Sequence, residues 1–340
     1  MTISDNSLLF ATAFYHAAGR SPNAWTFSER SKLNMYYQCM VVCYASLRRL
    51  YPEARLSLFS NRELPQPYNG QLRSLAVNTV LCASRYVDDP AFRNGFPGCL
   101  YTLDVIEHLA LHQHSDFSSL ILLDSDCIVR YRLDGMLDKL ESEEEGSYAY
   151  EPGYPVNMVA NGQSRASLTL ALSYLSGQMI APPIPLYGGE FYALSAKALP
   201  KLAMRIEAFW AWMKAEGIKT FGDNLTEEHV MSVVLAQSRD TVHSASNLIK
   251  RIWTASVFST VDGSESKIPI WHLPSEKKKG FVKLYQYWLD HNGYAELSDD
   301  DFRGLVDDII PLHAGGRKYP GRTVMLRLRD AAKIIVTGRM

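Results

Sequence analysis

The 340-residue chain is 47% hydrophobic and 21% charged, which excludes disordered, collagen-like and coiled-coil classes and leaves either two domains or one large α/β unit. Thirty-five Lys and Arg against 36 Asp and Glu give a formal charge of -1, so a nucleic-acid binder relying on overall basicity is excluded. Five cysteines with no CxxC pair imply neither a disulfide framework nor a zinc ribbon. Reduced thiols, a polar N-terminus and no apolar run near the roughly 18 residues of a spanning helix lead us to expect a cytoplasmic protein without a membrane span.

In chain order, 7–15 predicts a strand, 28–50 a helix that stops at Tyr51-Pro52, and 54–60 a second strand closed by Asn61 and the prolines at 65 and 67. Residues 71–87 predict a helix or a helix plus short strand, and 98–113 a helix with Tyr101, Val105, Leu109 and His112 along one stripe. A continuous apolar strand follows over 118–129. Glu141 and Glu143 to Glu145 read as a solvated helix end, and 151–163 as loop. A helix at 164–176 leads to a strand-like stretch over 181–195, interrupted by Gly188 and Gly189. An amphipathic helix near 196–215, a loop at 216–224 and a helix at 226–237 come next. Alternating strands and helices imply an α/β fold with a mostly parallel sheet covered on both faces, where ligands collect at the carboxyl ends of strands.

Within the 118–129 strand, Asp124-Ser125-Asp126 follows Leu-Ile-Leu-Leu. Two carboxylates at i and i+2 near a strand end can both reach one divalent cation with oxygen ligands. Burying them unpaired is very costly, so the pair requires a metal, basic partners or exposure at the sheet edge. Thr226 is a plausible N-cap, and Glu227 and Glu228 in the first turn gain from the helix dipole. The segment 315–340 carries Arg317, Lys318, Arg322, Arg327, Arg329, Lys333 and Arg339 against Asp330 alone. With Val324, Leu326, Leu328 and Ile334 interspersed, it fits either a solvated helix or peripheral attachment to an anionic membrane.

Tyr101-Thr102-Leu103-Asp104 on a helix, followed by the strand ending in Asp124-Ser125-Asp126, resembles the central segment of GT-A glycosyltransferases, in which a DxD holds Mn²⁺ or Mg²⁺ against the diphosphate of a nucleotide sugar. Tyr187-Gly188-Gly189-Glu190 resembles the small-residue loop that such enzymes place against the donor sugar. Glu227-Glu228-His229-Val230 is similar to the acidic helix start of the blood-group-type transferases and of the glycogenin and lipopolysaccharide galactosyltransferase group. Trp271-His272-Leu273-Pro274, with Lys277 to Lys279, resembles the late His and Lys segment of the latter group.

The resemblance implies a GT-A, Rossmann-like sheet with a smaller acceptor-side region, divided as a nucleotide-sugar half over 1–130, an acceptor-binding and catalytic half over 131–280, and C-terminal helices with a basic tail over 281–340. It implies a metal on Asp124, Asp126 and His272, and a nucleotide sugar, most simply a UDP-sugar, against Ala11, Thr12, Tyr15, Arg85, Asp124, Ser125, Gly188, Gly189 and Lys278. Arg85 is expected to meet the diphosphate or to pair with Asp104 or Asp124. Glu228, with Glu227 and Glu190 as alternatives, is expected at the reacting centre, as nucleophile or oxocarbenium stabiliser in a retaining reaction and as general base in an inverting one. The acceptor is then a hydroxyl of a glycan or a lipid-linked glycan. Two other classes stay open: a haloacid-dehalogenase-type phosphatase, which expects its DxD on the first strand, and a glycan-binding protein of the same fold without turnover.

Overall fold

The computed structural model describes residues 5–16, 29–92, 98–112, 116–238, 242–255 and 258–312, without the side chains of 29–32. The chain alternates β1 (Leu8–Phe14), α1 (Glu29–Leu50), β2 (Arg55–Ser60), α2 (Tyr68–Ser74), β3 (Val77–Leu81), α3 (Tyr101–His112) and β4 (Ser119–Leu123). It continues through β5 (Cys127–Val129), α4 (Asp134–Ser142), β6 (Ser147–Ala149), α5 (Arg165–Ser176) and β7 (Phe191–Ser195). Helix α6 (Leu199–Trp212) passes through a π-turn at Met213–Gly217 into α7 (Ile218–Phe221), and α8 (Glu227–Ala236) follows. The short strands β8 (Val242–Ser244), β9 (Ile249–Arg251), β10 (Thr254–Ala255), β11 (Phe258–Ser259) and β12 (Ile270–His272) precede α9 (Gly280–Asp290) and α10 (Asp299–Ile309).

Seven strands form the main sheet in the order β3-β2-β1-β4-β7-β6-β8. All neighbours are parallel except β7, which runs against both β4 and β6. Side-chain alternation splits the interior into two layers. Leu8, Phe10, Ile121 and Leu123 enter the layer beneath α1, whereas Leu9, Ala11, Leu120 and Leu122 enter the layer that holds α3, α6 and α8. Strands buried on both faces read as unbroken apolar runs, which is why β1 and β4 are visible in the sequence. The sheet takes β6, β7 and β8 from beyond residue 130, so it crosses the boundary expected there. His112, expected on the buried stripe of α3, is exposed, while Tyr101, Val105 and Leu109 are buried.

The strand expected over 118–129 is two strands. Continued past Leu123, its alternation would drive Asp124 into the layer of Leu120 and Leu122, where no partner offsets the desolvation of a carboxylate. Instead the Cys127 amide donates to the Asp124 carbonyl (3.2 Å), and the chain turns out of the main sheet. The next three residues, β5, pair with β12 and β9 in a separate three-stranded sheet. Register in that sheet sets Cys127, His272 and Arg251 side by side. Among the described residues no helix is long and apolar enough to cross a membrane. The basic segment 315–340 lies outside the described residues.

Candidate metal and donor site

The carboxyl end of β4 meets the start of β7, because the two strands are antiparallel with Leu123 opposite Phe191. The Asp124 amide accordingly donates to the Glu190 carbonyl (3.1 Å). From the other sheet His272 enters the same corner, its neighbour Leu273 donating an amide hydrogen bond to the Asp126 carbonyl (3.0 Å). Helix α8 brings the third wall: the Ser232 hydroxyl accepts from the Tyr187 amide (2.8 Å), which fixes the first turn of α8 against 187–190. His229 takes the place of a capping-box acid there, accepting from the Thr226 amide at Nδ1 (3.1 Å) and donating to the Ala160 carbonyl from Nε2 (3.0 Å).

His272 divides the site. Its Nε2 lies 3.3 Å from both Asp124 Oδ2 and Asp126 Oδ2, and ligand atoms of the three residues all fall within 4.8 Å of one another. Its Nδ1 lies 3.4 Å from Glu190 Oε1, an ion-pair contact too long for a well-made hydrogen bond. Two carboxylates plus an imidazole whose rear nitrogen faces a further carboxylate fit a divalent cation with an oriented histidine. Lys277 also reaches this group, its ammonium donating to Asp126 Oδ2. An ammonium on that oxygen shows that the locus attracts positive charge.

Electrostatics separate the two aspartates. Burial would raise the Asp126 carboxyl, but Lys277 and His272 hold it far below the ordinary range. Asp124 is raised to about 6 by desolvation and by the charges of Asp126 and Glu190, against the pull of His272. Its side chain retains 49% of its exposure, so one side of it is open to solvent. Burial depresses an imidazole, yet Asp126 and Glu190 raise His272 to about 9.

Behind His272 lies a closed group of charges centred on Arg251. The guanidinium donates from Nε to Glu190 Oε1 (2.6 Å), from Nη2 to Glu190 Oε2 and Glu228 Oε1 (2.7 Å for the latter), and from Nη1 to the Tyr154 hydroxyl (3.3 Å). Glu228 also accepts from the Gly189 amide (3.3 Å) and from Asn161 Nδ2 (3.2 Å). Asn161 has a left-handed backbone (φ 52°) at the tip of a turn, where its carbonyl accepts from Asn224 Nδ2 (3.1 Å). Burial and the Glu228 charge raise Glu227 to about 8, with the Cys99 thiol as its hydrogen-bond partner and Oε2 buried without one.

The expected site residues thus have distinct placements. Asp124, Asp126, His272, Glu190, Glu227 and Glu228 converge. Glu190 is 0% exposed with both oxygens on Arg251, and Glu228, 6% exposed, shares that guanidinium. A Cβ on Gly188 would overlap Glu190 and crowd Tyr150 and Arg251, and one on Gly189 would overlap Glu227. Lys278 is exposed, and the lysine at the cluster is Lys277. Ser125 is half-buried in the turn.

At the nucleotide end, Ala11 is level with Leu122 in the parallel pair, so the residues after it share an edge with Asp124. Ala11 and Thr12 themselves are interior, the Thr12 hydroxyl bonded to that of Tyr44 (2.7 Å). Tyr15 is half-buried, its hydroxyl donating to Asp88 (2.9 Å). Arg85 pairs with Glu107 and Glu207, not with Asp104 or Asp124, and so is spent outside the cluster. Arg251 escapes a sequence reading altogether. It is one arginine ending a three-residue strand, and its partners are fixed only by the β9–β12 register.

No protein-family model and no curated protein matches the sequence. Among solved structures, the chain resembles a mouse xyloside xylosyltransferase 1 (14% identity, TM-score 0.45, covering 79% of this chain and 98% of the other). It also resembles the galactosyltransferase LgtC in complex with donor and acceptor sugar analogues (11% identity, TM-score 0.47, covering 90% and 98%). Against the bifunctional glycosyltransferase WbbM the TM-score is 0.53 at 10% identity, and the match spans 86% of this chain and 52% of that one. At such identity the likeness speaks to architecture alone: the chain shares the GT-A fold of the glycosyltransferase WbbM.

Proposed function

We propose that the protein is a metal-dependent glycosyltransferase that moves a sugar from a nucleoside diphosphate sugar, most simply a UDP-sugar, to an acceptor hydroxyl of a glycan or lipid-linked glycan. The observation that carries this reading is the convergence of Asp124, Asp126 and His272 at the carboxyl edge of a GT-A sheet, with Asp124 alone of the three open to solvent. In the reaction the bond from the anomeric carbon to the diphosphate oxygen breaks, its electron pair leaves with the diphosphate, and a bond forms to the acceptor oxygen as the proton of that oxygen passes to the departing diphosphate. A divalent ion on Asp124, Asp126 and His272 would act as a Lewis acid for the departing diphosphate.

The chain's own residues do the rest. Glu190 and Arg251 fix His272 and Glu228. Glu228, steered by Arg251, Asn161 and the Gly189 amide, is the carboxylate we assign to the developing oxocarbenium charge, with retention of configuration. Glu227, raised to about 8, is a neutral acid beside it at neutral pH. Two adjacent carboxyls in such unlike surroundings can divide charge stabilisation from proton transfer. We assign the basic segment 315–340 to an anionic membrane surface bearing a lipid-linked acceptor, to be checked by co-sedimentation with phosphatidylglycerol vesicles.

The test is thermal stabilisation by UDP-, GDP-, CMP- and dTDP-sugars with and without Mn²⁺, repeated on Asp126→Ala. One nucleotide class should raise the melting temperature by mass action, in a metal-dependent way that Asp126→Ala loses. If no nucleotide shifts the wild type, the donor reading is wrong. Phosphatase turnover blocked by beryllium fluoride would instead favour an aspartyl-phosphate enzyme.

A further inference from the structure

The oxygen a metal needs on Asp126 already has a cation. Lys277 donates to Oδ2, the same atom that faces His272 Nε2 at 3.3 Å. The ammonium is nearly sealed in, with the lysine 7% exposed and the Tyr36 ring centroid 5.6 Å away, so it cannot leave Asp126 for bulk water without a change of partner. Asp124, by contrast, has an open side.

The backbone beneath Lys277 is fixed. The Glu276 amide donates to the Leu273 carbonyl (3.0 Å), the Lys279 and Phe281 amides donate to the Glu276 carbonyl (3.0 and 3.1 Å), and the Glu276 carboxylate accepts from the Thr254 hydroxyl. Gly280 packs so closely on Ile310 that a Cβ would overlap it. Only the flexible four-carbon stem of the lysine is free to swing.

We propose that Lys277 is a tethered counter-ion of Asp126 that a divalent metal must displace, and that the displaced ammonium then binds the incoming diphosphate, so that metal and nucleoside diphosphate bind this chain with positive coupling. This rests on the donor reading above. With the metal in place the ammonium faces a like charge in a poorly solvated corner, and the anion that relieves it is the diphosphate arriving with the donor. Metal alone therefore works against the lysine. Metal together with diphosphate works with it, and by linkage each ligand strengthens the other equally.

The experiment titrates Mn²⁺, read by the electron paramagnetic resonance signal of the free ion, with and without saturating UDP, in wild type, Lys277→Met and Lys277→Arg. For the wild type we expect weak Mn²⁺ binding that UDP tightens by about 5–150-fold, the usual span of a coupling between sites. Lys277→Met should bind Mn²⁺ alone more tightly than wild type and lose most of the UDP enhancement. Lys277→Arg should keep both the weak metal-only binding and the enhancement. The proposal is overturned if Lys277→Met, shown folded by near-ultraviolet circular dichroism, leaves metal-only affinity unchanged or retains the enhancement. It is equally overturned if Lys277→Arg binds Mn²⁺ alone as tightly as Lys277→Met. Wild type that binds neither Mn²⁺ nor UDP sinks the donor reading and this proposal with it; wild type that binds both while the variants disagree sinks the proposal alone.

Discussion

The two sides of the His272 ring hold similar numbers of charges in opposite circumstances. On the Nε2 side Asp124 opens to solvent and the partners of Asp126 are a histidine and a lysine on a flexible stem. On the Nδ1 side Glu190 is fully buried and Arg251 binds it through two nitrogens while also holding Glu228. The first arrangement permits exchange of one cation for another; the second forbids it. A site that must release product needs the former, and one that must hold geometry through turnover needs the latter.

The sharpest way to break the contrast is Arg251→Met. It leaves Glu190 with only the 3.4 Å contact to His272 as a countercharge, and removing one member of a buried ion pair costs about 3–5 kcal/mol. Urea unfolding should show a loss of that size, whereas Asp124→Asn on the open side should leave the unfolding midpoint nearly unmoved while abolishing most metal binding. Equal stability losses in the two variants would erase the distinction.

Next in size is Glu190→Gln, which keeps the shape behind His272 but removes its charge. Loss of such an outer partner weakens metal binding by about 10–100-fold, measurable by Mn²⁺ titration. An unchanged affinity would mean that Glu190 does not orient the imidazole.

Acidity offers a finer probe. His272 at about 9 in the metal-free protein stands above its ordinary 6.5, so the stability it contributes is complete below pH 6.5 and is lost as pH rises through 9. Metal must displace that proton, and Mn²⁺ affinity should therefore climb with pH up to about 9. A flat affinity profile between pH 6.5 and 9 would contradict the pairing of His272 with Asp126.

Glu227 gives a second probe of acidity. With its carboxyl raised from 4.5 to about 8, the folded state favours the protonated form, so wild type loses stability as pH rises through that window. Melting curves of Glu227→Gln should lack that part of the pH dependence, and an identical slope in both proteins would show that Glu227 ionises freely.

How much of this is legible in the sequence depends on how local the cause is. The apolar runs of β1, β2 and β4 declare a parallel sheet because both faces of each strand are buried, and the acid pair declares itself because carboxylates rarely interrupt such a run. His272 and the acidic start of α8 are visible for the same reason. The break between β4 and β5 is not, since Cys127-Ile128-Val129 is as apolar as the strand before it and only its desertion to another sheet separates them. Choosing Lys277 over Lys278 requires the backbone of a turn, and adjacent identical residues carry no such information. Arg251 finds Glu190 through register between strands that are distant in the chain, which no local pattern records. The crowding of Gly188 by Glu190 and of Gly189 by Glu227 is likewise invisible in the local sequence.

The three-stranded sheet has a consequence for how the molecule is made. β5 has no strand partner of its own until β9 and β12 have been synthesised. During translation the aspartate pair must therefore wait, lacking its histidine and lysine, and Glu190 and Glu228 wait for their arginine, while the sheet beside them is already able to form. A nascent chain halted before residue 249 would carry most of the scaffold and none of the countercharges, so ability to hold a divalent ion would report completion of the polypeptide more faithfully than helical content does.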